Sequence, residues 1–224
     1  MLEILFEDKE IVAAIKPVGV SSQDNGENSM PMLLRKATGS DYIAVLHRLD
    51  TAVSGVMVYA KTKSAAAALS AQIQSGEFNK TYLAVVGGIP TDKSGTFEDL
   101  LFKDSSKNKS FVVKSERKGV KKAILNYETL GTVNLDNGDI SLVKVNLITG
   151  RTHQIRVQFS SRKMSLLGDK RYGSHFSCPI ALFSHFIAFN HPSSNEKMIF
   201  SAEPDYTAFP WNKFKLSKVI EKRR

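Results

Sequence analysis

The stretch from His47 to Thr62 holds an acid in a setting suited to chemistry. Asp50 follows Arg48 and Leu49 directly, with Ser54-Gly55 and an apolar run just beyond it. Thr51 and Ser54 can fold hydroxyls back onto the local backbone, and Gly55 permits a sharp bend or a close approach. Asp50 is therefore expected on a tight turn at the mouth of a strand, from which a side chain can face a cleft. A turn carboxylate that merely caps its own loop fits the same residues.

Other chemistries lack their residues. The histidines at 47, 153, 175, 185 and 191 show no HxxxH or HExxH spacing, and the single Cys178 cannot build a zinc site. Ser54, Asp50 and His47 lie too close in sequence for a hydrolase triad, and no G-x-S-x-G is present. Gly168-Asp169-Lys170 lacks the glycine spacing of a phosphate loop, and no dinucleotide fingerprint is found. A lone acid, an aromatic hydroxyl and arginines remain. That set suits a rearrangement needing neither metal nor redox cofactor.

The elements that would carry these groups are mostly strands. Residues 2–6 and 11–15 read as short strands joined by a polar turn, and Lys16-Pro17-Val18-Gly19 ends the second. Residues 21–30 are polar and aperiodic, 32–37 suit a helical turn, and 56–60 suit a strand. Ala65, Leu69 and Ile73 recur at helical spacing, which predicts a helix over 63–75 stopped by Gly76. Strands are expected at 81–86, 96–102, 109–114, 123–130, 139–148, 180–189 and 198–202, with Asp136-Asn137-Gly138 as a hairpin signal. Thr152 is a candidate cap for a helix reaching about Arg162. Trp211 to Glu221 reads as a C-terminal helix with Phe214, Val219 and Ile220 on its apolar side. This inventory predicts an α+β fold with a largely antiparallel or mixed sheet.

With 224 residues the chain can bury a proper core as one large domain or two small ones. One cysteine excludes a disulfide framework and suits a reducing compartment. The N-terminus has no basic-then-apolar leader, and no apolar run is long enough to span a bilayer, so the cytoplasm is the expected location. The net charge of +9 is unevenly placed. Residues 103–122 carry +6, 151–171 carry +5 and 212–224 carry +5, so the remainder is acidic. Concentrated positive charge on a mildly acidic remainder is the footprint of a polyanion binder. Each run taken singly is also compatible with a solvated face or tail.

The stretch around Asp50 resembles the signature of the RluA-type pseudouridine synthases, in which His-Arg-Leu-Asp is followed by Ser-Gly and an apolar strand ending in Ala-Lys. Lys80-Thr81-Tyr82-Leu83-Ala84-Val85-Val86-Gly87, Thr149-Gly150-Arg151-Thr152-His153-Gln154-Ile155-Arg156-Val157 and Leu167-Gly168-Asp169-Lys170-Arg171-Tyr172-Gly173 match further family stretches in order. Lys16-Pro17-Val18-Gly19-Val20 fits as well, so the likeness runs from about Leu2 to Pro210. It implies a bent mixed sheet with flanking helices and a central catalytic cleft. It also implies one catalytic domain over 1–224 with no separate N-terminal RNA-binding domain.

The implied reaction converts uridine to pseudouridine within structured RNA, ribosomal or transfer, without a cofactor or bound nucleotide, by a protein expected to be a monomer. Asp50 matches the catalytic acid. Arg156 matches the basic residue expected to pair with that acid and keep it ionised against desolvation. Tyr82 matches a tyrosine whose ring can stack on uracil while its hydroxyl serves near C5. Arg48 could fill the stack vacated by a flipped base. Lys80 would meet backbone or phosphate, and Ile155 would pack beneath the Tyr82 ring. Arg151 would contact substrate or brace the turn by hydrogen bonds, and His153 would brace it. Two positions depart from the family pattern: Val53 stands where Thr is common, and Gln158 where a second His is common. Two rival readings differ in class. A catalytically inactive RNA-binding module fits the charge equally well but leaves the set of Asp50, Tyr82 and Arg156 without a use. A small-molecule glycosidase would normally need two partnered carboxylates, and the sequence offers one.

Overall fold

The computed structural model describes residues 2–214. In chain order the elements are β1 (Ile4–Glu7), β2 (Ile11–Lys16), α1 (Met30–Thr38), β3 (Ala44–Val45), β4 (Ser54–Ala60), α2 (Lys63–Ser75), β5 (Asn79–Gly87), β6 (Ser94–Asp104), β7 (Lys109–Val113), β8 (Val120–Val133), β9 (Ile140–Leu147), α3 (Gln154–Ser160), β10 (Leu182–Asn190) and β11 (Lys197–Ser201). Few helices and a mixed, largely antiparallel set of strands make the fold α+β, as the pattern predicts. Among the described residues no helix is long and apolar enough to cross a membrane. The described residues divide into two compact units, 2–81 with 183–204 and 82–182 with 205–214.

In the first unit the strand order is β1-β2-β4-β10, with β11 on β10 and β3 on β4. Strand β2 runs antiparallel to β4 from Ile11↔Ala60 to Lys16↔Gly55, whereas β10 runs parallel to β4. Every residue from Gly55 to Ala60 is buried, as expected of a strand covered on both faces. Alternate residues Ile11 and Ala13, Val56 and Val58, and Ile187 and Phe189 join Leu69 and Phe78 in one core. Helix α2 closes over that core. Thr62 Oγ1 accepts from the Ala65 N–H at its start, and Gly76 ends it in a left-handed conformation. Gln72 exchanges two hydrogen bonds with the Asn190 backbone and fixes α2 to the end of β10.

Gly55 is required where β4 meets β10. Its φ is +123°, and an added Cβ would lie 2.3 Å from the Ser184 carbonyl oxygen. Relieving that contact needs β10 to move, because the clash is with backbone. Gly55→Ala is expected to cost at least about 2 kcal/mol from strain and overpacking together. Urea unfolding measures it; a loss below about 0.5 kcal/mol, the scale of a bland surface change, would show that the strands separate freely.

In the second unit the order is β5-β9-β8-β6-β7. The β8–β9 hairpin turns at Asp136-Asn137-Gly138, where Gly138 has φ +104° and its N–H reaches the Leu135 carbonyl at 2.9 Å. Helix α3 lies over one face of β6 and β8, where Val157 and Tyr172 pack on Leu101 and Ala123. Two expectations change here. Thr152 does not cap α3, which covers only 154–160; the capping position is His153, at φ +54° with no side-chain cap bond. Trp211–Lys213 forms a 3-10 turn rather than the first turn of an α-helix, and residues 215–221 of that expected helix lie outside the described residues.

Candidate active site

The Asp50 turn is assembled from the first unit. Its Val53 N–H closes onto the Asp50 carbonyl at 2.9 Å. The carbonyls on either side of Asp50 are held as well. Leu49 O accepts from the buried Ser22 hydroxyl at 2.8 Å. Thr51 O accepts from the Gly19 N–H at 2.8 Å and from Lys16 Nζ at 3.3 Å. The acid is therefore carried on backbone fixed by the Lys16–Ser22 segment, and it is itself half-buried.

Lys16 is fully buried, and its ammonium also donates to the Pro17 and Val20 carbonyls at 2.8 Å each. Desolvation draws its pKa down to about 8, while the negative charge of Asp50 pulls it back up. The two charges attract across the loop. The family stretch Lys16-Pro17-Val18-Gly19-Val20 marks the position of Lys16 in the sequence, but not its burial, because a lysine at a strand end ordinarily faces solvent.

His47 is buried under the same turn. Its Nε2 accepts from the Val58 N–H at 3.2 Å, and its ring lies 5.4 Å from that of Phe78. Desolvation, with a lesser push from the Lys80 charge, brings its pKa to about 3, so the ring stays neutral at working pH. Lys80 is half-buried, with its ammonium 5.7 Å from the Phe78 ring centre, and burial lowers its pKa also. Arg48 is exposed.

Tyr82, Arg151, Ile155 and Arg156 belong to the second unit. Tyr82 and Ile155 are buried, on β5 and α3 respectively. The turn before α3 is built by Gln154. Its Oε1 accepts from the Arg151 N–H and the Thr149 hydroxyl, and its Nε2 donates to the Ile124 carbonyl. Arg151 is exposed, and its Nε donates to the Lys122 carbonyl at 2.9 Å, the bracing contact one of its two expected roles requires.

Arg156 is buried, only 5% exposed. Its Nε and Nη2 donate to the two carboxylate oxygens of Asp169 at 2.6 and 2.8 Å. The guanidinium also lies 5.1 Å from the Tyr172 ring centre. Tyr172 is fixed in turn: its hydroxyl accepts from the Ser110 N–H at 2.9 Å and lies 3.0 Å from His153 Nδ1. Asp169 looks structural in the sequence, and nothing there marks it as the acid that orients Arg156. Gln158 donates to Asp99 at 2.8 Å, and Arg162 pairs with the same carboxylate. Among the described residues no three of His, Cys, Asp and Glu are grouped as metal ligands.

Known proteins share both the sequence pattern and the fold. A family model described as RNA pseudouridylate synthase matches residues 10–161. Ribosomal large subunit pseudouridine synthase D of Zymomonas mobilis subsp. mobilis is 32% identical over 90% of this chain and 69% of its own length. tRNA pseudouridine synthase C of Yersinia pestis is 29% identical over 94% of this chain and 88% of its own. Among solved structures, human RNA pseudouridylate synthase domain containing 1 superposes with a TM-score of 0.77 at 22% identity, covering 93% of this chain and 85% of that one.

Proposed function

The chain belongs to the RNA pseudouridylate synthase family, and on that premise we propose that it isomerises uridines of ribosomal or transfer RNA with Asp50 as the reacting carboxylate. In this isomerisation the bond from C1′ to N1 breaks, the uracil turns, and C1′ joins C5. The C5 proton leaves and N1 gains one, so atoms balance without a co-reactant. Attack on the sugar, addition to the ring and removal of a sugar proton all need an ionised carboxylate held still. The observation that carries the reading is the Asp50 turn, fixed on both sides by carbonyl contacts to Lys16, Gly19 and Ser22. A residue that only decorated a loop would not need its neighbours immobilised.

Tyr82 serves as the surface under the uracil, and its hydroxyl assists departure of the C5 proton. Tyr82→Phe keeps the ring and loses the hydroxyl. Turnover is expected to fall roughly 10²-fold or more, the lower range for a proton-transfer group, with RNA affinity retained. Wild-type turnover by this variant would leave Tyr82 a packing residue. Arg156 presents a fixed cation to the reacting centre, Lys80 and Arg151 contact the RNA backbone, and Arg48 fills the stack left by the flipped base. Arg151 combines that contact with its brace on Lys122.

The run at 103–122 supplies the RNA track. Lys103, Lys107, Lys114, Arg117, Lys118, Lys121 and Lys122 are exposed there, with Lys122 2.6 Å from Glu98. Neutralising Lys118, Lys121 and Lys122 together is expected to weaken RNA binding and flatten the dependence of log affinity on log salt. Removing one lysine–phosphate ion pair should change that slope by about 0.7 to 0.9. Filter binding across a salt series checks it, with turnover at saturating RNA preserved. An unmoved slope would make the run a solvated face.

A further inference from the structure

Strand register sorts the β6–β8 residues onto two faces. One face carries Leu101 and Ala123 under α3. The opposite face carries Phe102 beside Phe111, Leu100 beside Val113, and Ile124 beside Glu98. All five apolar side chains are only half-buried, and Ile148, at the end of the same face, is 61% exposed. Cations already sit on the aromatic pair, as a phosphate-bearing strand would require. Arg117 lies over the Phe102 ring, 4.7 Å from its centre, and Lys109 lies over the Phe111 and Tyr172 rings, 5.6 and 5.0 Å from their centres. Lys122 lies beside Leu100 on this face. The hairpin is also clamped: Arg171 donates to the Asn108 carbonyl at 2.6 Å, and Arg151 to that of Lys122 at 2.9 Å. A rigid apolar face with aromatic rings, set in a stretch of net charge +6, matches a ligand that is polyanionic and carries flat apolar rings.

We propose that the Phe102–Phe111 face is a stacking platform for unpaired bases of the RNA strand that flanks the target uridine, with Arg117 and Lys109 holding its phosphates. This rests on the RNA-modifying reading above and adds a preference: the protein selects target sites next to unpaired nucleotides. Within a duplex the base faces are stacked on one another, so away from its ends it would engage the cations and not the rings. Stacking releases no counterion, so it adds affinity without steepening the salt dependence. Those two properties separate it from the lysine track.

The test uses Phe102→Leu/Phe111→Leu, which keeps apolar bulk and removes both rings. Its probes are an unstructured mixed-sequence RNA oligomer and the blunt duplex made from it. Affinity for the single strand is expected to fall about tenfold, with duplex affinity and the single-strand salt slope unchanged. Phe102→Tyr/Phe111→Tyr should restore it. An equal loss on both probes, no loss on the single strand, or failure of the tyrosine pair to restore binding would overturn the platform. Photocrosslinking the wild-type chain to a 4-thiouridine oligomer reads the same contact without any variant. Adducts are expected on the peptides of β6 and β7, and their absence there would also overturn it. Conversion of uridine by the wild-type chain is scored separately, so loss of the enzymatic reading and loss of the platform give different results.

Discussion

Asp50→Asn is expected to abolish isomerisation while leaving RNA affinity within about twofold of wild type. The substitution preserves the shape of the side chain and removes its ionisable group. The turn beneath it has backbone anchors of its own: Val53 bonds the Asp50 carbonyl, and the flanking Leu49 and Thr51 carbonyls are held by Ser22, Gly19 and Lys16. The variant should therefore fold with its loop in place. A carboxylate acting only as a base contributes roughly 10²- to 10⁴-fold, and one forming a covalent intermediate contributes no less. Single-turnover assays with excess enzyme, beside filter binding of the same RNA, separate chemistry from binding. A variant retaining a tenth of wild-type turnover would remove Asp50 from the reaction.

Asp169→Asn is expected to be the most destabilising conservative change, costing about 3–5 kcal/mol. Arg156 and Asp169 have side chains only 6% and 1% exposed, and their contact is bidentate. Removing the Asp169 charge takes from the buried guanidinium a bidentate charged partner, in an interior where desolvation is costly. Removing both is a different experiment. Arg156→Met/Asp169→Leu puts apolar groups of similar length in the same space and should recover most of the lost stability. It should not recover turnover, because the proposal gives the Arg156 cation a part in the reaction. Urea unfolding and turnover of the single and double variants form the cycle. A double variant that is both stable and active would make Arg156 a structural residue alone. A single variant within about 1 kcal/mol of wild type would show that the pair is hydrated.

The features legible in the sequence follow short-range rules. Helix α2 matches the expected 63–75 because apolar spacing, the Thr62 cap and the Gly76 stop are all local signals. The Asn137-Gly138 turn is of the same kind. The start of α3 departs from the Thr152 expectation because the turn before it is served by Gln154, whose side chain reaches Ile124, 30 residues away. No local pattern encodes that reach. The same limit hides the partner of Arg156: a guanidinium shows that it needs a carboxylate, and only tertiary structure shows that Asp169 supplies one. Lys16 is the sharpest case. Its burial depends on three carbonyls, one of them in the Asp50 loop 35 residues on, so the sequence marks its position and not its use.

The central claim is that this chain moves the glycosidic bond of a uridine in RNA from N1 to C5. Incubating the purified protein with RNA labelled with tritium at uracil C5, then digesting the RNA to nucleosides, tests it most directly. The account predicts tritium in water in step with pseudouridine in the digest, one label for each base converted, and no free uracil. Bound RNA with its label intact would identify an inactive binding module, and free uracil would identify a glycosidase; either result would contradict the account.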